Sequence, residues 1–423
     1  MKLAKCFIVV FLALLIVGIG TFFIFYQRFV LKLRSPELEA TLVEEKLPLS
    51  NSENALDINS DITIKPQKQP YQPPDIIKAV YLTSWSVSKE EKIDYLIDIA
   101  KTTEINAVVI DIKDFSGYVA YNTDIPEVEK YGAEQIRIVN IGSLIEKLHE
   151  QGIYVIARIT VFQDPVLAHV RPDLAVHSRE KLEALATPDS SLLSVSSLWL
   201  DKSGLAWIDP AVTESWDYNI AIAKDAINRG FDELNFDYVR FPSDGNLQDM
   251  SFPFWDGKIP RHTIIREFFK HLREEIPEAK ISIDLFGLST VSSDDLGVGQ
   301  IIEDAFEYSD YVCPMIYPSH YADGFIGFQN PAEYPYEVVK HSMESALRKL
   351  AIYKQSKDTN AQLRPWLQDF NLGAVYDTAM IRSEIRAVYD AAGEDFSGFM
   401  LWNSWNFYTK EALEPVQPIQ SEQ

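Results

Sequence analysis

From Ala79 onward the chain alternates, eight times over, between a short β-rich apolar segment and a stretch with helical spacing, and few folds accommodate that order. The segments 79–85, 106–111, 153–159, 233–237, 280–285, 310–317, 362–368 and 397–402 read as strands. Between them, apolar residues recur every three or four positions, as Ile93, Leu96, Ile97 and Ala100 do within 89–101. The stretches 141–150, 213–228, 262–275, 336–353 and 378–392 follow the same rule, with Gly152 and Gly230 just past two of the ends. Strands five and six are joined by only a short helical pattern at 298–308. The expected fold is α/β, a (β/α)8 TIM barrel over residues 76–415. No Gly-x-Gly-x-x-Gly or phosphate-loop pattern follows any strand, which argues against an open nucleotide-binding sheet. The irregular stretch 160–209 is expected as an elaborated loop on the active-site face.

The N-terminal part has a different character. Residues 6–26 carry no charge and follow Lys2 and Lys5, a run long enough to cross a hydrocarbon core of roughly 30 Å. Small residues at Gly18-Ile19-Gly20 would suit a cleaved signal peptide, but the apolar run continues to Tyr26, which favours an uncleaved anchor. Residues 1–34 are therefore expected to form a cytoplasmic tail and membrane anchor. Residues 35–75 are rich in Ser, Asn, Asp, Glu and Pro and cannot bury a core, so they are expected as a disordered linker. Residues 416–423 form a tail. This organisation implies a single-pass protein of the cell membrane with its C-terminal domain outside the cytoplasm.

Net charge is −23, which repels phosphate backbones and argues against a nucleic-acid partner. Cys6 and Cys313 lie in separate regions and imply no disulfide framework. The histidines show no His-x-His or His-Glu-x-x-His spacing, so neither a zinc site nor any cofactor is expected. A hard-cation site built from Asp111, Asp237 and Asp284 is a minor alternative.

Strand four ends in Phe-Asp-Tyr-Val-Arg-Phe-Pro at 236–242, and strands tolerate an interior Asp poorly. The other strands end comparably: Trp85 on the first; Asp111, Lys113 and Asp114 on the second; Arg158, Asp284 and Tyr317 on the third, fifth and sixth. Gln368 with Asp369, then Trp402, Asn403 and Trp405, close the last two. The opposite ends look bland by comparison. In a parallel barrel the carboxyl ends of the strands form the active-site face. Side chains two apart share a strand face, so Asn235 points with Asp237, Ser282 with Asp284, and Arg364 and Trp366 with Gln368, whereas Asp369 is out of phase.

Paired carboxyl groups flanked by aromatics suit glycoside hydrolysis, in which one acid donates a proton and the other acts as nucleophile or base. Asp237 and Asp284 are the candidates for that pair. Trp85, Tyr317, Trp366, Trp402 and Trp405 are candidate sugar platforms, with Gln368 and Asn403 as polar contacts. Asp111, Arg158 and Arg240 are candidates for tuning charge or gripping an anionic substituent. The competing reading is a non-catalytic glycan-binding barrel, in which Asp237 is locked against Arg240 with no second acid in reach. A scaffold whose barrel faces a protein is a third.

Several pieces together resemble a bacterial glycoside-hydrolase-like TIM-barrel domain family found in membrane-anchored and secreted proteins. They are Ala-Val-Tyr-Leu-Thr at 79–83, Val-Val-Ile-Asp-Ile-Lys-Asp at 108–114, Tyr-Val-Ile-Ala-Arg-Ile at 154–159 and Trp-Ile-Asp-Pro at 207–210. The segment 236–242, Pro-Met-Ile-Tyr-Pro at 314–318 and Gly-Phe-Met-Leu-Trp-Asn at 398–403 complete the set. The resemblance implies a distant kinship with α-amylase-clan and α-galactosidase-like barrels, a polysaccharide or oligosaccharide substrate, and Asp237 as the nucleophile after strand four. The α-amylase clan places its proton donor after strand five, at Asp284 here, although that clan uses Glu. The α-galactosidase-like clan places it after strand six, where this chain has Tyr317 and no acid.

Overall fold

The computed structural model describes residues 71–185 and 193–416. The expected anchor at 6–26 and most of the expected linker lie outside the described residues, as does 417–423. Among the described residues no helix is long and apolar enough to cross a membrane.

Eight parallel strands close on themselves. They are β1 (Ile77–Leu82), β2 (Ala107–Lys113), β3 (Tyr154–Thr160), β4 (Glu233–Asp237), β5 (Lys280–Phe286), β6 (Tyr311–Met315), β7 (Gln362–Leu363 and Trp366–Gln368) and β8 (Gly398–Trp402). Each pairs in parallel with the next, and Ile77 pairs with Gly398 to close the ring. Closure requires a glycine there. Gly398 has φ +113, and a Cβ on it would lie 1.7 Å from the carbonyl oxygen of Ile77.

The strands read as near-continuous apolar runs because helices cover their outer faces; every residue of β2 and β3 is buried. The covering helices are α1 (Glu90–Thr102), α2 (Ile141–His149), α3 (Thr213–Arg229), α4 (Arg261–Glu275), α5 (Ile302–Phe306), α6 (Pro335–Lys354) and α7 (Thr378–Ala392). In α1 the buried residues are Ile93, Leu96 and Ile99, each contributing roughly 1.5–3 kcal/mol of burial. Of these covering helices, α2 and α7 begin on side-chain caps: Asn140 accepts from the Ser143 amide, and Asp377 from those of Ala379 and Met380.

Four details depart from the sequence reading. β1 stops at Leu82, and Trp85 sits in a helical turn, Ser84–Val87, capped by Thr83. β7 is interrupted at Arg364-Pro365, where proline lacks the amide a ladder needs. Between β2 and α2 the chain adds two short strands, Val119–Tyr121 and Glu134–Ile138, that extend the sheet beyond the barrel. Finally, the amino-terminal ends of the strands are not bland. Glu233 at the start of β4 and Arg364 form an ion pair with both side chains at 0% exposure. The Arg364 guanidinium also stacks 4.0 Å from the Tyr311 ring.

Candidate active site

Arg158, near the end of β3, organises the mouth of the barrel. One terminal nitrogen donates to Oδ1 of Asp111 at 2.5 Å, and the other donates to Oδ2 of Asp237. Its Nε points towards Oδ2 of Asp284 at 3.9 Å and has no hydrogen-bond partner of its own. Burial opposes the charge on Arg158, but the fields of Asp111, Asp237, Tyr81 and Asp284 outweigh it and hold the guanidinium firmly protonated. The cation at the centre of the three acids is thus a side chain, and it occupies the position that a hard cation shared by Asp111, Asp237 and Asp284 would need.

Strand register makes the acids neighbours. Phe236 pairs with Ile283, which brings Asp237 and Asp284 level on adjacent strands. Adjacent strands run about 4.8 Å apart, so the two carboxyl groups share one rung of the barrel wall. Bridging by a single guanidinium also limits their nearer oxygens to about 9 Å, within the span that glycosidase carboxyl pairs occupy.

The two environments differ. Asp284 is 1% exposed. Its Oδ1 accepts from Asn235 Nδ2 at 2.9 Å and from Trp366 Nε1 at 2.8 Å. Burial, followed by the adjacent charge of Asp237, pushes its carboxyl up to about 8 against the opposing pull of Arg158. The upward shift favours the protonated form of Asp284, and because Oδ1 already accepts twice, Oδ2 is the oxygen left to bear the proton. Asp237 instead holds the direct ion pair with Arg158, and its Oδ1 accepts from the Tyr238 amide at 2.5 Å. Tyr238 takes a left-handed backbone, φ 55, which is costly for a bulky residue and marks a strained turn directly after Asp237. Asp111 is raised by burial and drawn down by Arg158 and by the Tyr81 hydroxyl, which donates to its Oδ2.

The aromatic residues divide into floor and rim. Trp366 is 1% exposed and spends its indole N–H on Asp284, so it presents no open face to a sugar. Trp402 stacks on Tyr81 at 3.9 Å and lies 5.3 Å from the Arg158 guanidinium. Tyr317 is buried in the same aromatic cluster. Trp85 and Trp405 stand on the rim, 56% and 80% exposed, and Arg137 stacks over Trp85.

Three candidates lie outside this centre. Arg240 is not paired with Asp237; it donates to the Phe241 carbonyl and to Ser243 Oγ at 3.0 Å, sandwiched among Trp207, Tyr238 and Phe286. Gln368 is fully buried, accepting from Ser319 and donating to the Phe370 carbonyl at 2.9 Å. Asn403 shapes the loop after β8, donating to the Asp369 carbonyl and accepting from the Trp405 amide at 2.8 Å. Asp369 itself accepts from Thr409. Conversely, Tyr81 and Asn235 contact the acids without having been among the candidates. Asn235 was detectable as the inward neighbour of Asp237, but nothing in the sequence marks Tyr81, whose phase in β1 is that of many core tyrosines.

A closed parallel barrel with acids gathered at the carboxyl ends of its strands defines the class: a TIM barrel of the kind that houses glycoside hydrolases. More particularly, residues 79–408 match the family described as "putative glycosyl hydrolase domain", and the chain belongs to that family. A solved hypothetical protein from Ruminiclostridium thermocellum ATCC 27405 is 37% identical, over 52% of this chain and 98% of that one, with a TM-score of 0.42. The glycoside hydrolase domain of PgaB (BpsB) from Bordetella bronchiseptica is 14% identical, covering 78% of this chain and 95% of that one at a TM-score of 0.53, and shares the fold. An α-galactosidase from Thermus thermophilus is 14% identical over 81% of this chain and 61% of its own, at a TM-score of 0.45. No curated protein matches the sequence.

Proposed function

We propose that the barrel hydrolyses glycosidic bonds in a polysaccharide or cell-surface glycan, with Asp284 as proton donor and Asp237 as nucleophile or base. The observation that carries this reading is the contrast between the two acids: Asp284 is buried, held by Asn235 and Trp366 and shifted upward by burial, beside Asp237, which is ion-paired to Arg158. Acid–base catalysis on sugars needs two carboxyl groups in different protonation states at one pH. When Asp284 gives its proton to the leaving oxygen, the new carboxylate already accepts from Asn235 and Trp366. The unpartnered Arg158 Nε supplies a further donor. Asp237 meanwhile attacks the anomeric carbon or deprotonates a water, with Arg158 and the Tyr238 amide fixing its rotamer.

The leaving group tests the donor. Asp284→Asn should lose about 10³-fold or more on an ordinary glycan and far less on an aryl glycoside whose phenolate departs unprotonated. Equal losses on both substrates would remove Asp284 from the donor role. The exposed rim residues Trp85 and Trp405 serve as sugar platforms in this reading, with Trp402 beside Arg158.

We further propose that the barrel works outside the cytoplasm, tethered through 6–26. The support is the uncharged run after Lys2 and Lys5 and the polar, proline-rich segment that follows it. Protease added to intact cells should remove the barrel and leave the anchor. Protection of the barrel until the cells are lysed would contradict the tether's orientation.

A further inference from the structure

Beside the mouths of β4 and β5 lies a cavity of about 710 Å³, the size of a ligand site, whose lining includes none of Arg158, Asp111, Asp237 and Asp284. Between the cavity lining and the acids' strands lies Arg240. Its guanidinium sits 5.0 Å from the ring of Tyr238, the residue after Asp237, and 4.8 Å from the ring of Phe286, two residues after Asp284. Phe286 and Ser243, the stacking and hydrogen-bond partners of Arg240, both line the cavity.

The charge of this cavity runs against that of the chain. The protein carries a net charge of −23, yet the lining includes Arg179 and Arg261 and no Asp or Glu. Neither arginine makes an ion pair among the described residues, and neither does Arg240. Arg261 stacks 4.8 Å over Trp255, donates to the Gly297 carbonyl, and leaves its buried Nε without a partner. The acid whose field reaches it, Asp295, forms no ion pair with it. Arg179 donates to the Met250 carbonyl at 2.8 Å. Arg240 is only 9% exposed, and Asp237, Asp244 and Asp201 act on it through space without contact. The wall is also braced. Buried Asp209 accepts from the Phe254 and Trp255 amides at 2.8 and 2.9 Å, which fixes the loop that carries the Trp255 ring.

We infer that this cavity is a subsite for an anionic sugar unit, one bearing a carboxylate or a phosphate, adjacent to the unit cleaved between Asp237 and Asp284; the inference rests on the glycosidase reading. Arginine suits both anions because its planar fork matches their oxygens, and an aromatic floor suits the apolar face of a sugar ring. Arg261 and Arg179 are the anion contacts. Arg240 supplies positive potential from behind Phe286.

The test uses the full-length protein carrying Asp237→Asn, so that nothing is consumed, titrated with glucuronic acid, glucose 6-phosphate and glucose. At least one anionic sugar should bind at least tenfold more tightly than glucose, and the preference should weaken as salt is raised. Arg261→Gln and Arg179→Gln, added singly, should each reduce that binding about tenfold while the melting temperature shows the protein folded. Preference for glucuronic acid assigns a uronate-bearing glycan, and preference for glucose 6-phosphate a phosphorylated one. Equal binding of all three sugars, or folded arginine variants that bind the anions as before, overturns the subsite. Hydrolysis assays on protein with Asp237 intact separate the two proposals. Anion binding without any glycan cleavage would refute the glycosidase reading alone, and cleavage indifferent to charge would refute the subsite alone.

Discussion

Replacing Asp284 by Asn should change how stability depends on pH, by an amount that follows from the site. The Asp284 carboxyl sits near 8 in the folded protein and near its ordinary value of 3.8 once unfolded. Between those limits the folded state holds a proton that the unfolded state has released, so rising pH favours unfolding. The proton's stabilising contribution is complete below about pH 3.8, declines by about 1.4 kcal/mol per pH unit, and is gone above about pH 8. Asn keeps the shape, and its Oδ1 can still accept from Asn235 and Trp366, while its amide replaces the Oδ2–H. It has no proton to lose. Urea unfolding at pH 5, 6, 7 and 8 should therefore show the variant gaining on the wild type by about 4 kcal/mol across the series. Curves that stay parallel across that range would mean Asp284 is already ionised at pH 5, and the proton-donor assignment would fall with that result.

The same group should set the alkaline limb of activity, with hydrolysis falling as pH rises through about 8 because the donor loses its proton; a rate flat to pH 9 would exclude it. Tyr81→Phe removes the hydroxyl on Asp111 and should cost about 1–3 kcal/mol in thermal or urea unfolding, since the buried carboxylate loses a donor. Arg158→Met leaves Asp111, Asp237 and Asp284 without their shared cation, and a loss of about 3–5 kcal/mol is expected. Gly398→Ala should destabilise the seam between β1 and β8 by several times the roughly 1 kcal/mol of an ordinary glycine change, because the new Cβ meets the Ile77 carbonyl. Trp85→Ala and Trp405→Ala should leave stability within about 0.5 kcal/mol and raise KM rather than lower kcat, as expected of exposed platforms.

The barrel was legible because its signals are periodic. Buried parallel strands must be apolar along their length and their helices apolar on one stripe, and both patterns survive in a single sequence. Strand-end polarity was legible for a related reason, since Asp111, Arg158, Asp237 and Asp284 interrupt apolar runs where nothing local requires an acid or a cation. Pairings across strands were not. Which acid meets which arginine depends on register and on side-chain length: Arg240 lies three residues from Asp237 along the chain, yet Arg158 on the neighbouring strand reaches it. Strand phase could not separate floor from rim either. Trp366 and Trp405 look alike as tryptophans near strand ends, but one is sealed against Asp284 and the other stands in solvent. The pair Glu233–Arg364 went unseen because its members sit on strands far apart in sequence and meet only when the ring closes.

The most direct test of the account compares wild type and Asp237→Asn on a panel of neutral and anionic glycans, following the release of reducing ends. Because the amide retains the shape of the carboxylate but cannot act as nucleophile or base, at least one glycan should be cleaved by the wild type and about 10³-fold or more slowly by the variant. A panel cleaved equally by both proteins would show that Asp237 is not the reacting carboxylate.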